Sequence, residues 1–219
     1  MPDAEVQKRT VYVIDDDRLV RTMVSRMIAA MEDEPPFFTS HPFGSATDFL
    51  DAAADLKPGC ILLDLRMPGL DGFALMAELQ RRDIDWPVVL MTGAGDVPIA
   101  VRAMKLGAVD FLQKPVRLDP LIETLRNATR LLDERREAGD RRRAARARID
   151  QLSARELEVL DGLIAGQSNK ELAQSLGIGL RTVEMHRGNM MERLGASSLA
   201  QVVALAIEAG LRPPIDDAA

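Results

Sequence analysis

Residues 60–72 read CILLDLRMPGLDG, so that an apolar run ends at Asp64 and a loop containing proline and glycine follows it. A short apolar run without alternating polar residues is typical of a strand that is buried on both faces of a parallel sheet. Ligands of open parallel sheets bind outside the carboxyl ends of the strands. We therefore predict that Asp64 stands at the end of a buried strand, where its carboxylate is available for chemistry.

Five apolar runs of this kind alternate with helical patterns through the first half of the chain. The strands are predicted at residues 11–14, 37–40, 61–63, 88–91 and 109–112. Helical apolar spacing is found at residues 19–31, 46–54, 73–81 and 98–106, and again from Leu118. Strands that alternate with helices predict an α/β fold, here a doubly wound parallel sheet of the (βα)5 type with helices on both faces.

Three other predicted strands also end in polar side chains. Asp15 and Asp16 follow the first strand, Thr92 follows the fourth, and Lys114 comes shortly after the fifth. Carboxylates bind hard cations such as Mg²⁺, and a carboxylate can be the nucleophile that accepts a phosphoryl group. A hydroxyl and a lysine supply hydrogen-bond donors to phosphoryl oxygens. Together with Asp64, these side chains predict a phosphoryl-transfer site at one edge of the sheet.

The acidic run at residues 15–17 also has a simpler interpretation. Acidic side chains are favourable at a helix N-terminus, so the run by itself is explained as a cap of the first helix. The polar residues at the ends of the other strands favour the site instead. We also expect a cis bond between Lys114 and Pro115, because cis peptides occur almost only before proline.

Residues 11–117 resemble the receiver domain of two-component response regulators. The resemblance is carried by VIDDD at 13–17, LDLRMPGLDG at 63–72, MTG at 91–93 and GAVDFLQKP at 107–115. It implies a flavodoxin-like fold whose Asp64 accepts a phosphoryl group from a phosphohistidine of a sensor histidine kinase. One departure is the stretch MEDEPP at 31–36, which lengthens the first helix-to-strand connection. We interpret it as a longer loop without a role, or alternatively as an altered partner surface.

The same resemblance implies roles for individual residues. The Mg²⁺ ligands would be Asp15, Asp16, Asp64 and the backbone carbonyl of Arg66. Thr92 and Lys114 would contact the phosphoryl group. Phe111 falls where the family has a switch aromatic, although a ring at this position is equally well explained as part of the core.

After residue 150 the pattern contains helices and no strand. Ser153 and Glu156 form a capping-box pattern before the first helix, Asn169 is predicted to cap the second, the third covers about 180–194, and the fourth begins at Ser198. The turn LGIG at 176–179 gives helix-turn-helix spacing, in which the second helix of the pair enters the major groove. A four-helix packing module would show similar spacing. On the third helix, apolar positions 183, 190 and 194 should face the core.

Residues 151–212 also resemble the LuxR-type helix-turn-helix, through LSARE at 152–156, NKELA at 169–173 and RTVEMHR at 181–187. Both modules in this order resemble the FixJ/NarL type of response regulator, nearest to its FixJ members. Arginine and asparagine can pair with guanine and adenine edges, and basic side chains can hold phosphates. The expected DNA-binding residues are Asn169, Lys170, Arg181, Thr182, Glu184, Met185, His186, Arg187 and Asn189. Gly188 departs from a good helix former and would permit close approach of the backbone to DNA.

The predicted domains are a receiver at 1–127, a charged helical linker at 128–150, the helix-turn-helix domain at 151–212 and a tail at 213–219. The net charge of −6 divides into −5 for residues 1–132, +2 for 133–150 and −3 for 151–219. The C-terminal domain is therefore not the basic block expected of a strong non-specific DNA binder. The linker reads as a solvated helix or a hinge, and less readily as a basic DNA-contacting arm.

The two resemblances together imply a transcription regulator that is switched by phosphorylation. Phosphorylated Asp64 would draw in Thr92 and turn Phe111 inward, and the face of the fourth helix, fifth strand and fifth helix would form a two-fold homodimer. The dimer would place two recognition helices about one DNA turn apart on a palindromic promoter site. RNA polymerase is a further candidate partner. The receiver is expected to catalyse only its own Mg²⁺-dependent phosphoryl transfer and dephosphorylation.

Three other functions share parts of this pattern. A phosphatase that uses an aspartyl-phosphate would need an acid at position 66, which is Arg66. A regulator whose receiver works without phosphorylation, and a module whose four helices bind a sigma factor or kinase, stay open. The polar N-terminus, the absence of an apolar run of membrane-spanning length and a single cysteine, Cys60, within an apolar run predict a cytoplasmic protein without a membrane partner.

Overall fold

The structure of the protein is a computed structural model that describes residues 8–31, 35–93 and 97–211. Its contacts divide the chain into two compact units, Met1–Arg135 and Arg136–Ala219. Residues 32–34 of the long loop and the predicted tail at 213–219 lie outside the described residues. Within the described part of the chain, no helix is long and apolar enough to cross a bilayer.

The first unit is built on a five-stranded parallel sheet. Its strands are β1 (Arg9–Ile14), β2 (Phe38–Phe43), β3 (Cys60–Asp64), β4 (Val88–Thr92) and β5 (Asp110–Gln113). The strand order is β2-β1-β3-β4-β5, and every neighbouring pair is parallel. The helices between and after the strands are α1 (Arg18–Ala29), α2 (Ala46–Ala52) with a 3-10 turn (Ala53–Asp55), α3 (Gly72–Arg81), α4 (Val97–Lys105) and α5 (Leu118–Ile149). This arrangement confirms the predicted doubly wound sheet.

Successive side chains of the central strands enter two separate cores, one on each face of the sheet. Ile61 and Leu63 of β3 belong to one core, and Cys60 and Leu62 belong to the other. All five residues of β3 are buried. Burial on both faces explains why the strand sequence shows no alternation of polar and apolar residues.

The edge strand β2 extends three residues beyond its predicted end at Ser40. It pairs with β1 through Pro42 and Phe43. His41 and Pro42 are exposed, so the sequence shows no apolar signal there. An edge strand tolerates proline because one of its sides needs no ladder hydrogen bond, and the pattern rule therefore ended the strand too early.

The boundary between the two units falls within α5, in the segment predicted as a charged linker. Leu125 and Leu132 in the first half of this helix are buried in the core of the first unit. Ala145 and Ile149 near its end are buried in the core of the second unit. The last turns of α5 are therefore an element of the helical unit.

The second unit also contains α6 (Ala154–Ile164), α7 (Asn169–Leu176), α8 (Leu180–Arg193) and α9 (Leu199–Glu208). The prediction that Asn169 caps α7 is wrong. Ser168 is the N-cap residue: its hydroxyl accepts from the backbone amide of Glu171, whose carboxylate accepts from the amide of Ser168. This capping box leaves Asn169 as the first helical residue, free to use its side chain elsewhere.

The turn between α7 and α8 is closed by Gly177, which has a left-handed φ of +64°. Glycine adopts this conformation without steric cost, so the chain can reverse within three residues. The predicted core face of α8 is confirmed, because Val183, Met190 and Leu194 are at most 1% exposed. The spacing of apolar residues thus determined which side of α8 is hidden.

The C-terminal end of α8 is held by polar contacts to the start of the unit. Arg148 of α5 donates to the carbonyl of Leu194, the C-cap residue of α8. The Arg193 guanidinium lies 3.2 Å from a carboxylate oxygen of Glu156, which is 2% exposed. Glu156 also completes the predicted capping box with Ser153.

Burial raises the pKa of Glu156, but the hydrogen bonds from Ser153 and the charges of Arg193 and His186 outweigh it and hold the pKa below its ordinary value. A carboxyl whose folded pKa is lowered stabilises the fold above its unfolded pKa, and this contribution is lost as pH falls through the folded pKa.

We predict that Glu156→Gln lowers the free energy of unfolding of the helical unit by about 1–3 kcal/mol at pH 7, since it leaves Arg193 without its buried partner. The loss should shrink as pH falls below the ordinary glutamate pKa of 4.5. Urea unfolding of both proteins at several pH values measures it. Glu158→Gln, at an exposed carboxylate paired with Arg155, is the control and should change little. An equal effect at pH 7 and pH 3 would contradict the assignment.

Candidate functional site

The sheet register brings the predicted acidic residues and lysine to one place. Ile14 pairs with Leu63, so Asp15 and Asp64 end neighbouring strands. Lys114 Nζ lies 2.8 Å from Asp64 Oδ1 and 2.6 Å from Asp15 Oδ2. One carboxylate oxygen from each of Asp15, Asp16 and Asp64 lies within 4.8 Å of the others. The prediction that these strand ends converge is confirmed.

The acidic run at the end of β1 divides between two tasks. Asp17 is the N-cap of α1, and its carboxylate accepts from the amide of Leu19 at 2.8 Å. Asp15 Oδ1 accepts from the amide of Asp17 at 2.9 Å, which fixes the turn that leads into α1. The capping interpretation therefore holds for Asp17, while the Asp15 carboxylate points into the cluster.

A divalent cation fits this cluster. Asp15 is fully buried, and the Lys114 ammonium lies 2.6 Å from its Oδ2. One ammonium cannot neutralise three carboxylates, and buried negative charge that is not compensated is costly, so a further cation is favoured there. The three carboxylates supply oxygen ligands, which Mg²⁺ prefers. Asp15, Asp16 and Asp64 would hold the ion, and the carbonyl of Arg66, two residues after Asp64, stays the predicted fourth protein ligand.

The charges of the cluster are coupled. Burial raises the pKa of Asp64, Lys114 lowers it, and the neighbouring Asp15 and Asp16 raise it again, so that the pKa lies above its ordinary value. Burial lowers the pKa of Lys114, but its contacts with Asp15 and Asp64 outweigh this and raise the pKa above the usual value. Lys114 is therefore charged in the folded protein and compensates part of the acidic cluster.

Thr92 and Phe111 lie near this cluster in the sheet but do not join the ion pairs. Thr92 is 7% exposed, and its hydroxyl donates to the carbonyl of Gly93 at 3.3 Å. Phe111 is 50% exposed, so its ring is not part of the core in this conformation. The Lys114–Pro115 bond is cis, as predicted. The roles of Thr92 and Phe111 in a switch stay predictions.

The loop after Asp64 brings the start of α3 close to the backbone of Asp64. Gly72 begins α3, and a Cβ at this position would lie 2.7 Å from the carbonyl oxygen of Asp64. Glycine is therefore required by the close approach of the helix to the backbone of the acidic residue. Asp71 caps α3 through the amide of Ala74 at 2.8 Å. Spacing alone marks Asp71 and Gly72 as turn residues, but it does not show what the glycine contacts.

The expected DNA-binding residues of the second unit differ in exposure. The exposed members are Lys170, Arg181, Glu184, Met185 and Asn189, and the half-buried members are Asn169, Thr182, His186 and Arg187. Arg187 donates to the side-chain oxygen of Asn169 at 3.1 Å and so connects α8 to α7. Arg187 thus contributes to the arrangement of the helices, and the exposed members form the surface available to a ligand.

Gly188 lies on the exposed side of α8. Glycine in a helix interior costs about 0.5–1 kcal/mol relative to alanine. The structure shows no left-handed φ at this position, so the backbone of α8 does not require glycine there.

Two family profiles match the chain. The response regulator receiver domain matches residues 11–126, and the luxR family of bacterial regulatory proteins matches residues 150–206. The chain is 44% identical over 206 residues to the transcriptional regulatory protein FixJ of Azorhizobium caulinodans, covering 94% of this chain and 95% of that one. FixJ of Bradyrhizobium diazoefficiens is 41% identical over 204 residues, covering 93% and 97%. Among solved structures, the response regulator StyR has a TM-score of 0.73 and 36% identity, covering 92% and 100%.

We predict that Asp15→Asn weakens Mg²⁺ binding by about tenfold or more, because a neutral amide replaces a buried anionic ligand. Calorimetric titration of the full chain with magnesium chloride measures the affinity. Asp17→Asn is the matched control, since asparagine caps a helix as well as aspartate does and removes one charge outside the cluster. Equal losses in the two variants would show that the effect is general electrostatics rather than ligation.

Proposed function

Because the chain belongs to the two-component response regulators that join a receiver domain to a LuxR-type DNA-binding domain, we propose that phosphorylation of Asp64 controls its binding to promoter DNA. The observation that carries the proposal is the ion pair of Lys114 with Asp64 and Asp15 at the ends of three strands. A histidine kinase and DNA are the partners that the two domains imply.

Phosphoryl transfer at Asp64 needs no further protein nucleophile. An Asp64 oxygen forms the bond to phosphorus as the phosphorus–nitrogen bond of the donor phosphohistidine breaks, and the electron pair stays on the imidazole. Lys114, already 2.8 Å from Asp64 Oδ1, then donates to a phosphoryl oxygen. Bound Mg²⁺ would offset the charge that the phosphoryl group adds to the acidic cluster. The receiver thus promotes its own modification and dephosphorylation and acts on no other substrate.

Phosphorylation changes the contacts of the neighbouring side chains. The modification adds about −1.5 to −2 charges and three strong acceptor oxygens beside Lys114. The Thr92 hydroxyl donates to the Gly93 carbonyl in the unmodified protein, and it can exchange this acceptor for a phosphoryl oxygen. Movement of Thr92 opens space for the exposed ring of Phe111 to turn inward. The surface around Phe111 then differs between the two states.

The surface that changes contains exposed apolar side chains. Val101 and Met104 of α4, Phe111 of β5 and Leu118 of α5 are 40–50% exposed. Apolar side chains on one face favour association, and a two-fold dimer pairs the same face of each copy. Dimerisation also compensates for the net charge of −3 on residues 151–219, because two weakly binding copies bind a palindromic site with avidity. RNA polymerase would then contact the promoter-bound dimer in the cytoplasm.

The remaining alternatives make different use of the same residues. An aspartyl-phosphate phosphatase would need a general acid where Arg66 stands. A receiver that works without phosphorylation would keep the Lys114 ion pairs but form the same oligomer with and without a phosphodonor. A helical module for protein binding would not depend on the arginines of α8 for DNA retention. The next two experiments separate these cases.

We expect acetyl phosphate and Mg²⁺ to phosphorylate the protein and convert it to a dimer. Phos-tag electrophoresis measures modification, and light scattering after size-exclusion chromatography measures mass. Asp64→Asn should prevent both changes. Met104→Glu should be phosphorylated normally but dimerise about tenfold more weakly or worse, because it buries a charge in the interface.

Leu19→Glu is the control, since Leu19 is an exposed apolar residue of α1 outside this face and its substitution should leave the dimer intact. A wild-type protein that is phosphorylated and stays monomeric, or that is dimeric without phosphodonor, would overturn the switch.

We expect Arg181→Ala to lose about 1–3 kcal/mol of binding to a selected DNA site and to relax the preference for one base pair. Lys170→Ala should instead weaken binding to all sequences equally and reduce the salt dependence by about one released counterion. Selection from random duplexes followed by titration at several salt concentrations measures both effects. Arg155→Ala, which removes an arginine paired with Glu158 on α6, should change neither quantity. Unchanged DNA retention in the Arg181 variant would argue against groove reading.

A further inference from the structure

Gly188 has no structural reason inside the protein to be glycine. Its φ is not left-handed, and a Cβ built there would have no neighbour within 4 Å in the part of the chain that the structure describes. Gly162 of α6 provides the contrast, because a Cβ at that position would lie 2.3 Å from Leu172 Cδ2. Gly162 is explained by packing, whereas Gly188 keeps its destabilising effect on the helix without a compensating contact.

The surroundings of Gly188 show what could approach it. Glu184 and Met185 lie one helical turn before it and Arg181 lies two turns before it, so all four residues share the exposed side of α8. We call these four residues the exposed face of α8. Val183 and Met190 occupy the opposite, buried side. A molecule that binds this side of α8 therefore comes close to Gly188.

The charge of Glu184 restricts the identity of that molecule. Glu184 is exposed, and no ion pair or hydrogen bond involves it among residues 8–31, 35–93 and 97–211. A carboxylate one turn from Gly188 repels phosphate groups, and the arginine of the same face, Arg181, lies one turn farther from Gly188 than Glu184 does. The backbone of DNA is therefore a poor neighbour for Gly188, and the edges of the bases are a better one.

Met185 restricts the identity further. Its side chain is 52% exposed and apolar, and it lies three residues before Gly188 on the same side. The 5-methyl group of thymine is the apolar group that base pairs present in the major groove. Gly188 has no side chain, so space is open beside the apolar side chain of Met185. A thymine methyl group could occupy this apolar space.

We propose that Met185 and Gly188 together form a site for a thymine methyl group, with Gly188 allowing the backbone of α8 to approach the base edge. This inference rests on the proposed function, in which α8 enters the major groove. It goes beyond that function by naming one base and the residue whose missing side chain makes room for it. The operator half-site should then contain a thymine that the protein distinguishes from the same base without its methyl group.

The experiment uses the full-length protein after treatment with acetyl phosphate and Mg²⁺. Duplexes selected from a random pool are prepared in two forms, with thymine and with deoxyuridine in its place. Deoxyuridine should weaken wild-type binding by about fourfold for each methyl group lost. Met185→Ala should bind both forms equally, because its contact to the methyl group is absent.

Gly188→Ala supplies an independent readout. Alanine favours the helix, so the unfolding midpoint of the helical unit should rise by about 2–6 °C. The added methyl group should nevertheless weaken binding to the thymine duplex by about tenfold, because it fills the space at the base edge. Gly139→Ala in α5 is the matched control, since a Cβ there would lie 3.4 Å from the flexible Arg143 side chain. It should raise helix stability without any effect on DNA.

The outcomes separate the inference from the function on which it rests. If wild-type protein enriches no sequence, groove reading itself fails. If it enriches sites but binds the deoxyuridine form equally well, or if Gly188→Ala binds as tightly as wild type, the thymine site is wrong and the regulator stands. A lower unfolding midpoint for Gly188→Ala would also overturn the inference, since it would reveal a structural need for the glycine.

Discussion

Like charges at the carboxyl end of the sheet impose the main constraint on this protein. Asp15 and Asp64 are buried or nearly so, and Asp16 lies beside them. Burial and mutual repulsion both disfavour the charged carboxylates, and the Lys114 ammonium offsets part of this cost. The Lys114 ion pairs allow the acidic cluster to exist in the folded protein, but the net charge of the cluster stays negative and attracts further cations. A phosphoryl group on Asp64 would add further negative charge beside Lys114.

The acidic site followed from the sequence because parallel strands carry a positional rule. All carboxyl ends of such a sheet meet at one edge, so residues at the ends of β1, β3 and β5 are brought together whatever their separation along the chain. The limits of β2 did not follow, because edge strands need no apolar residues on both faces. The extent of α5 did not follow either, since Ala145 and Ile149 show their importance only when their packing partners are known.

In the helical unit, periodicity predicted the buried side of α8 but not its polar contacts. The Arg187–Asn169 hydrogen bond and the Arg193–Glu156 ion pair join residues that are far apart in sequence. Local sequence patterns do not show whether a polar side chain will bind a distant residue or water. Serine and asparagine are equally good caps by residue type, so residue type does not distinguish Ser168 from Asn169, although the spacing of Ser168 to Glu171 matches a capping box. Only the backbone geometry shows which of two neighbouring cap candidates is the N-cap residue.

The single thiol of the protein illustrates what a tightly packed sheet excludes. Cys60 is 1% exposed in β3, and burial, only partly opposed by its contact with Thr129, raises its pKa to about 11. Oxidants and alkylating agents react with thiolates, and very little thiolate forms at neutral pH in such surroundings. Cys60 is therefore a packing residue of β3 and is poorly placed to respond to oxidants.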